Sequence, residues 1–254
     1  MVRCGRCKYC RIRRKQAWVG RLRLELQDHR AARFLTLTYA EDPGELSPED
    51  LQLFLKRYRR DRTPCRFFAV GEYGEKSGRG HWHALIFGHP PQALGHLQGL
   101  SEWPHGYAYD GEVNAKSIGY VAGYTMKGAR EGDLHPIVRM SLRPGIGFRA
   151  LERAGSAYAR SLGGRQAPIW PSALTIGGKR YPLSEGGLLA FQRAFLDSGG
   201  SEPTDLTPEQ RHAVALTVLG EFGTRIEAAQ KFNRKFMYNR GLENGAARTV
   251  KGAI

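Results

Sequence analysis

Residues 65–88 read CRFFAVGEYGEKSGRGHWHALIFG, two apolar and aromatic runs of strand length on either side of a glycine-rich polar turn. Such runs bounded by Gly and polar residues are strand signals. The short turn between them allows only an antiparallel pair, because parallel strands need a crossover of about a dozen residues or more. Antiparallel sheet is therefore the frame of this chain. Successive strand side chains point to opposite faces, so His81 and His83 share a face while Trp82 and Ala84 take the other. The two histidine Cβ atoms then lie about 6.5–7 Å apart, within reach of one divalent ion. Glu72, near the end of the preceding strand, can face the same ion. A His-His-Glu set with open positions suits a divalent metal that must also hold a substrate phosphate.

Other segments extend the sheet and flank it with helices. RFLTLTYA (33–40) reads as a central strand and GYAYDGEV (106–113) as a further one. Residues 11–30 carry Trp18, Val19, Leu22 and Leu26 at helical spacing on a basic background. SPEDLQLFLKRYRRD starts a helix at Ser47-Pro48 and buries Leu51, Phe54, Leu55 and Tyr58. HPPQALGHLQGL predicts a short connecting helix, and Asn114 caps a helix that Gly128 stops. Beyond residue 137 the pattern weakens to a loop at SLRPGIGF and a hairpin around Gly177-Gly178, followed by a helical stretch from 201 to 240. Trp103, Tyr107 and Tyr109 read as core or hairpin packing in preference to base-stacking groups. Helices interrupt hairpins rather than alternating with strands, which makes the class α+β. Three segments follow: 1–30, a Cys-containing basic segment and helix; 31–150, the catalytic core; and 151–254, a partly helical C-terminal extension.

The 254 residues carry a net charge of +15. A field of that sign favours a polyanion, and no run of 18 apolar residues offers a membrane span. Residues 3–30 alone hold ten Lys/Arg against two acids, so Arg11, Arg13, Arg14 and Lys15 are candidate phosphate contacts, with Arg79 beside the histidines. No apolar segment follows the charged N-terminus, which excludes a secretory signal and points to the cytoplasm. Cys4, Cys7 and Cys10 form a C-x-x-C-x-x-C cluster. That spacing suits thiolates on one zinc ion better than a disulfide framework, with the fourth ligand left open between Cys65 and a histidine.

The second half of the chemistry lies in YVAGYTMK (120–127), where Tyr120, Tyr124 and Lys127 fall on one helical stripe. Two phenols and an ammonium beside a metal describe phosphoryl transfer to tyrosine. No G-x-x-x-x-G-K-[ST] phosphate loop is present. A covalent phosphotyrosine keeps the energy of the phosphodiester, so rejoining needs no ATP.

FLTLTY, GEYGEKSGRGHWHALIFG and YVAGYTMK, in that order, resemble the three motifs of HUH-type rolling-circle replication initiators. The paired tyrosines resemble the branch found in the Microviridae, small single-stranded DNA phages. CGRCKYCRIRR and MSLRPGIG are similar to segments of gokushovirus initiators in particular. The resemblance implies an HUH endonuclease fold, a five-stranded antiparallel, RRM-like sheet with flanking helices. It implies metal ligands His81, His83 and Glu72 for Mg²⁺ or Mn²⁺, and nucleophiles Tyr124, for the first cut, and Tyr120, with Lys127 beside them. It also implies single-stranded origin DNA as substrate, host helicase and polymerase as partners, and the bacterial cytoplasm as the place of action. Other readings of the same residues are a non-catalytic zinc-stabilised DNA-binding regulator, a plasmid relaxase and a metal-dependent nuclease that uses water.

Overall fold

The computed structural model describes residues 7–60, 62–74, 78–92, 94–97, 100–126, 136–165, 167, 170–201 and 203. The chain divides into two compact units, Met1–Glu202 and Pro203–Ile254, and every element named below belongs to the first. Their order is α1 (Lys8–Gln27), β1 (Ala32–Tyr39), α2 (Pro48–Arg60), β2 (Arg66–Tyr73), β3 (Gly80–Phe87), β4 (Gly95–Leu97), β5 (Gly106–Glu112), α3 (Ala115–Tyr124), β6 (Ile137–Met140), α4 (Phe148–Leu162), β7 (Ala173–Ile176), β8 (Lys179–Pro182) and α5 (Glu185–Asp197).

Strands β1 to β6 form one antiparallel sheet in the order β4-β5-β1-β3-β2-β6. The expected hairpin of β2 and β3 is present, with Glu72 opposite His81. The sheet has six strands where five were expected. β4 occupies the segment read as a short helix, because two prolines and two glycines leave too little chain for a helix and β5 offers an edge to pair with. β6 adds a second edge beside β2.

Alternation divides the sheet into two packed faces. Leu35, Leu37, Ala69, Trp82, Ala84 and Ile86 meet Leu51, Phe54, Leu55 and Tyr58 of α2, the helical stripe read from the sequence. Ser47 caps α2 by accepting from the Glu49 and Asp50 amides. On the other face Phe68, Val70, Leu85 and Phe87 meet Leu22 of α1 and Ile118, Val121, Ala122 and Tyr124 of α3. At one end of the α2 side the fully buried Arg33 guanidinium donates to both oxygens of the equally buried Asp110, at 3.1 and 2.6 Å. Such a pair is tolerated inside only because both partners are hydrogen-bonded.

Two further helices follow where the pattern had faded. α4 buries Ala150, Leu151, Gly155 and Ala159 against α5, whose buried residues include Phe191 and Phe195. The β7–β8 hairpin turns at Gly177 and Gly178, as expected, both at positive φ (56° and 74°), where glycine carries no Cβ penalty. The helical reading of 201–240 falls, apart from Ser201 and Pro203, outside the described residues.

Candidate active site

Asn114 fixes where α3 begins. Its side chain accepts from the Lys116 and Ser117 amides while the Ser117 hydroxyl accepts from the Asn114 amide, a complete capping box. The helix then runs across the sheet face that holds His81 and His83.

Four aromatic rings meet there. The His83 imidazole is stacked on Tyr124 with centroids 5.0 Å apart and edge-on to Tyr120 at 5.1 Å. Tyr120 and Tyr124 meet edge-on at 4.7 Å, and His81 meets His83 at 4.9 Å. Glu72, His83 and Tyr124 are buried, whereas Tyr120 is half exposed and opens the site to solvent. Glu72 and Tyr120 both hydrogen-bond the Tyr124 hydroxyl. Burial, followed by those two bonds and the Glu72 charge, pushes the Tyr124 phenol well above its ordinary value.

The three residues read as metal ligands converge. Their ligand atoms all lie within 4.8 Å of one another, and they make up the one group of three or more His, Cys, Asp or Glu among the described residues with that property. Glu72 Oε1 lies 2.8 Å from His81 Nε2 and 3.4 Å from His83 Nε2. Each imidazole is also held from behind. His81 Nδ1 is 3.2 Å from the Arg79 carbonyl, which can only accept, so this nitrogen carries the proton and Nε2 turns its lone pair toward Glu72. His83 Nδ1 is 3.0 Å from the Thr36 hydroxyl. Two acceptors facing each other at 2.8 Å need a cation between them. Imidazoles anchored at Nδ1 with Nε2 directed at a carboxylate are the arrangement of metal-ligating histidines, so the donor set fits a divalent ion.

Other residues singled out in the sequence have mixed placements. Arg11 and Lys15 of α1 reach the end of α3: the Arg11 guanidinium donates to the Met126 carbonyl at 2.7 Å, and Lys15 Nζ lies 3.5 Å from where a Cβ on Gly123 would stand. Arg13 and Arg14 lie on the same helix, Arg14 exposed. Arg79 donates to the carbonyls of Tyr39 and Ala40, closing the loop beside the site. Lys127 and Cys4 lie outside the described residues. Cys7 and Cys10 sit at the start of α1, and Cys65 is buried in the α2-side core, where it forms no three-ligand group with them.

Sequence reasoning missed Thr36, since only the β1–β3 register places it beside His83. The core reading of the three aromatics holds for Trp103, which is buried and donates its indole N–H to the Thr38 carbonyl. It fails for Tyr107 and Tyr109, which are exposed, because β5 faces solvent on the side that α3 leaves uncovered.

Residues 32–129 match the family model of the phage replication-associated protein ORF2. These residues belong to that family. They hold the first five strands of the sheet, α2, α3 and the whole histidine-tyrosine cluster. The chain is also similar to three phage proteins. It is 31% identical over 201 residues to the replication-associated protein VP4 of Bdellovibrio phage phiMH2K, covering 65% of this chain and 64% of that protein. Over 149 residues it is 30% identical to the replication-associated protein ORF4 of Chlamydia phage 1, covering 49% of this chain and 37% of that protein. The replication-associated protein ORF2 of Spiroplasma virus 4 is 28% identical over 179 residues, covering 58% of this chain and 56% of that protein. The chain thus spans less than two thirds of the length of each of these relatives. The resemblance carried by the three motifs and these similarities agree on replication proteins of small phages. No solved structure matches the chain. No helix among the described residues is long and apolar enough to cross a membrane.

Proposed function

We propose that this protein is a phage replication initiator of the HUH type, which nicks and rejoins single-stranded origin DNA through tyrosine to start and end rolling-circle replication. The observation that carries this reading is the packing of two tyrosines against the Glu72-His81-His83 cluster, with the Tyr124 hydroxyl hydrogen-bonded to Glu72. Nothing in a zinc-stabilised regulator calls for that packing.

Tyr124 Oη attacks the scissile phosphorus. As the phosphorus–Oη bond forms, the phenolic proton passes to an acceptor, and the Glu72 carboxylate is one already in contact with it. The bond from phosphorus to the 3′-oxygen breaks, and that oxygen leaves as a 3′-hydroxyl after taking a proton from solvent. The 5′-phosphate stays esterified to tyrosine, and attack by a 3′-hydroxyl reverses the step. A bound Mg²⁺ or Mn²⁺ would polarise the phosphate and offset its developing charge. Glu72, His81 and His83 would hold that ion, with Thr36 and the Arg79 carbonyl fixing the imidazoles. Tyr120 supplies the second nucleophile, so that a new end can be cut while the first is held. Lys127 accompanies the tyrosines, and Arg11, Arg13, Arg14, Lys15 and Arg79 contact phosphates. Zinc at Cys4, Cys7 and Cys10, and host helicase and polymerase as partners in the bacterial cytoplasm, complete the reading.

The test incubates the protein with single-stranded oligonucleotides from its own origin and Mn²⁺ or Mg²⁺, beside Tyr120→Phe, Tyr124→Phe and the double variant, on a denaturing gel. An adduct that survives denaturation, needs metal and disappears only in the double variant is expected. Metal-dependent cutting without an adduct would replace this reading with a water-using nuclease. Binding without cleavage would favour the regulator.

A further inference from the structure

The sheet face that carries the histidines continues past them. Register places Thr38 between His81 and Tyr107, and Thr36 between His83 and Tyr109, with His96 of β4 next to Tyr109. Two cross-strand rows therefore lead outward, His81-Thr38-Tyr107 and His83-Thr36-Tyr109-His96. Neighbouring strands lie about 4.8 Å apart, which puts Tyr107 and Tyr109 roughly 10 Å from the histidines they line up with. Along these rows lies an open cleft of about 650 Å³. Tyr107 is 64% exposed and Tyr109 39% exposed, while the His96 ring meets Tyr109 edge-on at 5.4 Å. Large aromatic side chains on an open sheet face have no packing role that accounts for them, and exposed apolar surface beside a reactive cluster marks a binding surface.

The chemistry of the cleft chooses its occupant. Its described lining includes Thr36, Thr38, His96, Leu97, Tyr107 and Tyr109, and no Lys or Arg. A phosphate backbone would find no cation there. Unpaired bases would find two rings to stack on and hydroxyls to bond, and stacking requires the base faces that a duplex keeps closed. The protein carries a net charge of +15, and Arg11 and Lys15 lie on the other side of the tyrosine cluster, at the end of α3.

We propose that Tyr107 and Tyr109, with His96, form a base-stacking shelf that seats unpaired nucleotides of the substrate strand beside the metal cluster, while basic residues elsewhere hold the phosphates. This inference rests on the reading of single-stranded DNA as the substrate and assigns the part of the site that grips bases.

The test is fluorescence anisotropy with labelled oligothymidylate and with an abasic strand of the same length, on the full chain and on Tyr107→Leu, Tyr109→Leu and the corresponding Phe variants. Wild type should bind oligothymidylate more tightly than the abasic strand. Each Leu variant should lose about tenfold or more on oligothymidylate, little on the abasic strand, and keep the same salt dependence, because no phosphate contact is removed. Each Phe variant should bind as wild type does. Leu variants that bind oligothymidylate like wild type would overturn the shelf, as would equal losses on both strands. The assay needs neither metal nor cleavage. A protein that passes it but forms no tyrosine adduct would refute the nuclease reading alone. One that forms the adduct while ignoring these substitutions would refute the shelf alone.

Discussion

The imidazole of His83 and the phenol of Tyr124 lie face to face, with centroids 5.0 Å apart and planes 14° from parallel. This contact joins the strand that carries the histidine pair to the helix that carries the tyrosines. Ring and hydroxyl do different work in it. The ring packs among Ile118, Val121 and Phe68 in the core, while the hydroxyl bonds Glu72 and Tyr120. Tyr124→Phe keeps the ring and should change stability by no more than about 1 kcal/mol. Tyr124→Ala removes a buried aromatic and should cost about 3–5 kcal/mol. Urea unfolding of both variants checks this, and a Phe variant as unstable as the Ala variant would mean that the hydroxyl, not the ring, holds α3 in place.

Thr36 should tune metal affinity without touching metal. Its hydroxyl is 3.0 Å from His83 Nδ1 and fixes which nitrogen is turned toward Glu72. Thr36→Val keeps the β-branched shape but cannot bond the imidazole. Loss of such a partner lowers metal affinity by about 10–100-fold. Mn²⁺ titration by calorimetry should show that drop with the melting temperature nearly unchanged. An affinity equal to wild type would mean that stacking alone orients His83.

How far these features were legible in the sequence depended on the range of the interaction that makes them. β1, β2, β3 and α2 write their burial into their own periodicity, and the His-x-His alternation with Glu72 across the turn gives the metal cluster locally. α4 was hidden because its buried face is largely Ala150, Gly155 and Ala159, which carry almost no hydrophobic period. β4 and β6 span three and four residues and exist through pairing with β5 and β2, so no local signal announces them. Thr36 and the exposure of Tyr107 and Tyr109 depend on register and on where α3 stops covering the sheet, and both are tertiary facts.

Glu25 should make stability depend on acid pH. It is buried on α1 and accepts from Arg66 Nε, from the Gly147 amide at 2.6 Å and from His29, tying α1 to β2 and to the start of α4. Burial opposes its charge, but the bonds from Arg66, Gly147 and His29, with the Arg66 charge, outweigh that and hold the carboxyl below its ordinary value. An acid with a lower pKa folded than unfolded stabilises above its unfolded value, and that contribution drains away as pH falls through the folded one. Glu25→Gln should therefore cost about 1.5–3 kcal/mol at neutral pH. Its deficit relative to wild type should shrink as pH falls below about 4.3. Denaturant unfolding of both proteins across that range is the measurement, and a deficit that stays constant with pH would mean that the charge of Glu25 contributes nothing.

Two helical glycines should respond to alanine with opposite signs. A Cβ on Gly155 would stand 2.2 Å from the Phe191 carbonyl oxygen and 3.0 Å from its carbon, so α4 and α5 cross backbone to backbone there. Backbone cannot swing aside as a side chain can, and Gly155→Ala should force the helices apart at a cost of about 1–3 kcal/mol or more. A Cβ on Gly119 of α3 would meet nothing within 4 Å. There the alanine meets no obstacle and removes the entropic penalty of glycine inside a helix, so Gly119→Ala should stabilise by about 0.5–1 kcal/mol. Thermal unfolding of the two variants side by side decides it. A melting temperature that rises for both would mean that α4 and α5 have room to separate, and one that falls for both would mean that α3 packs more tightly around residue 119 than its open surroundings suggest.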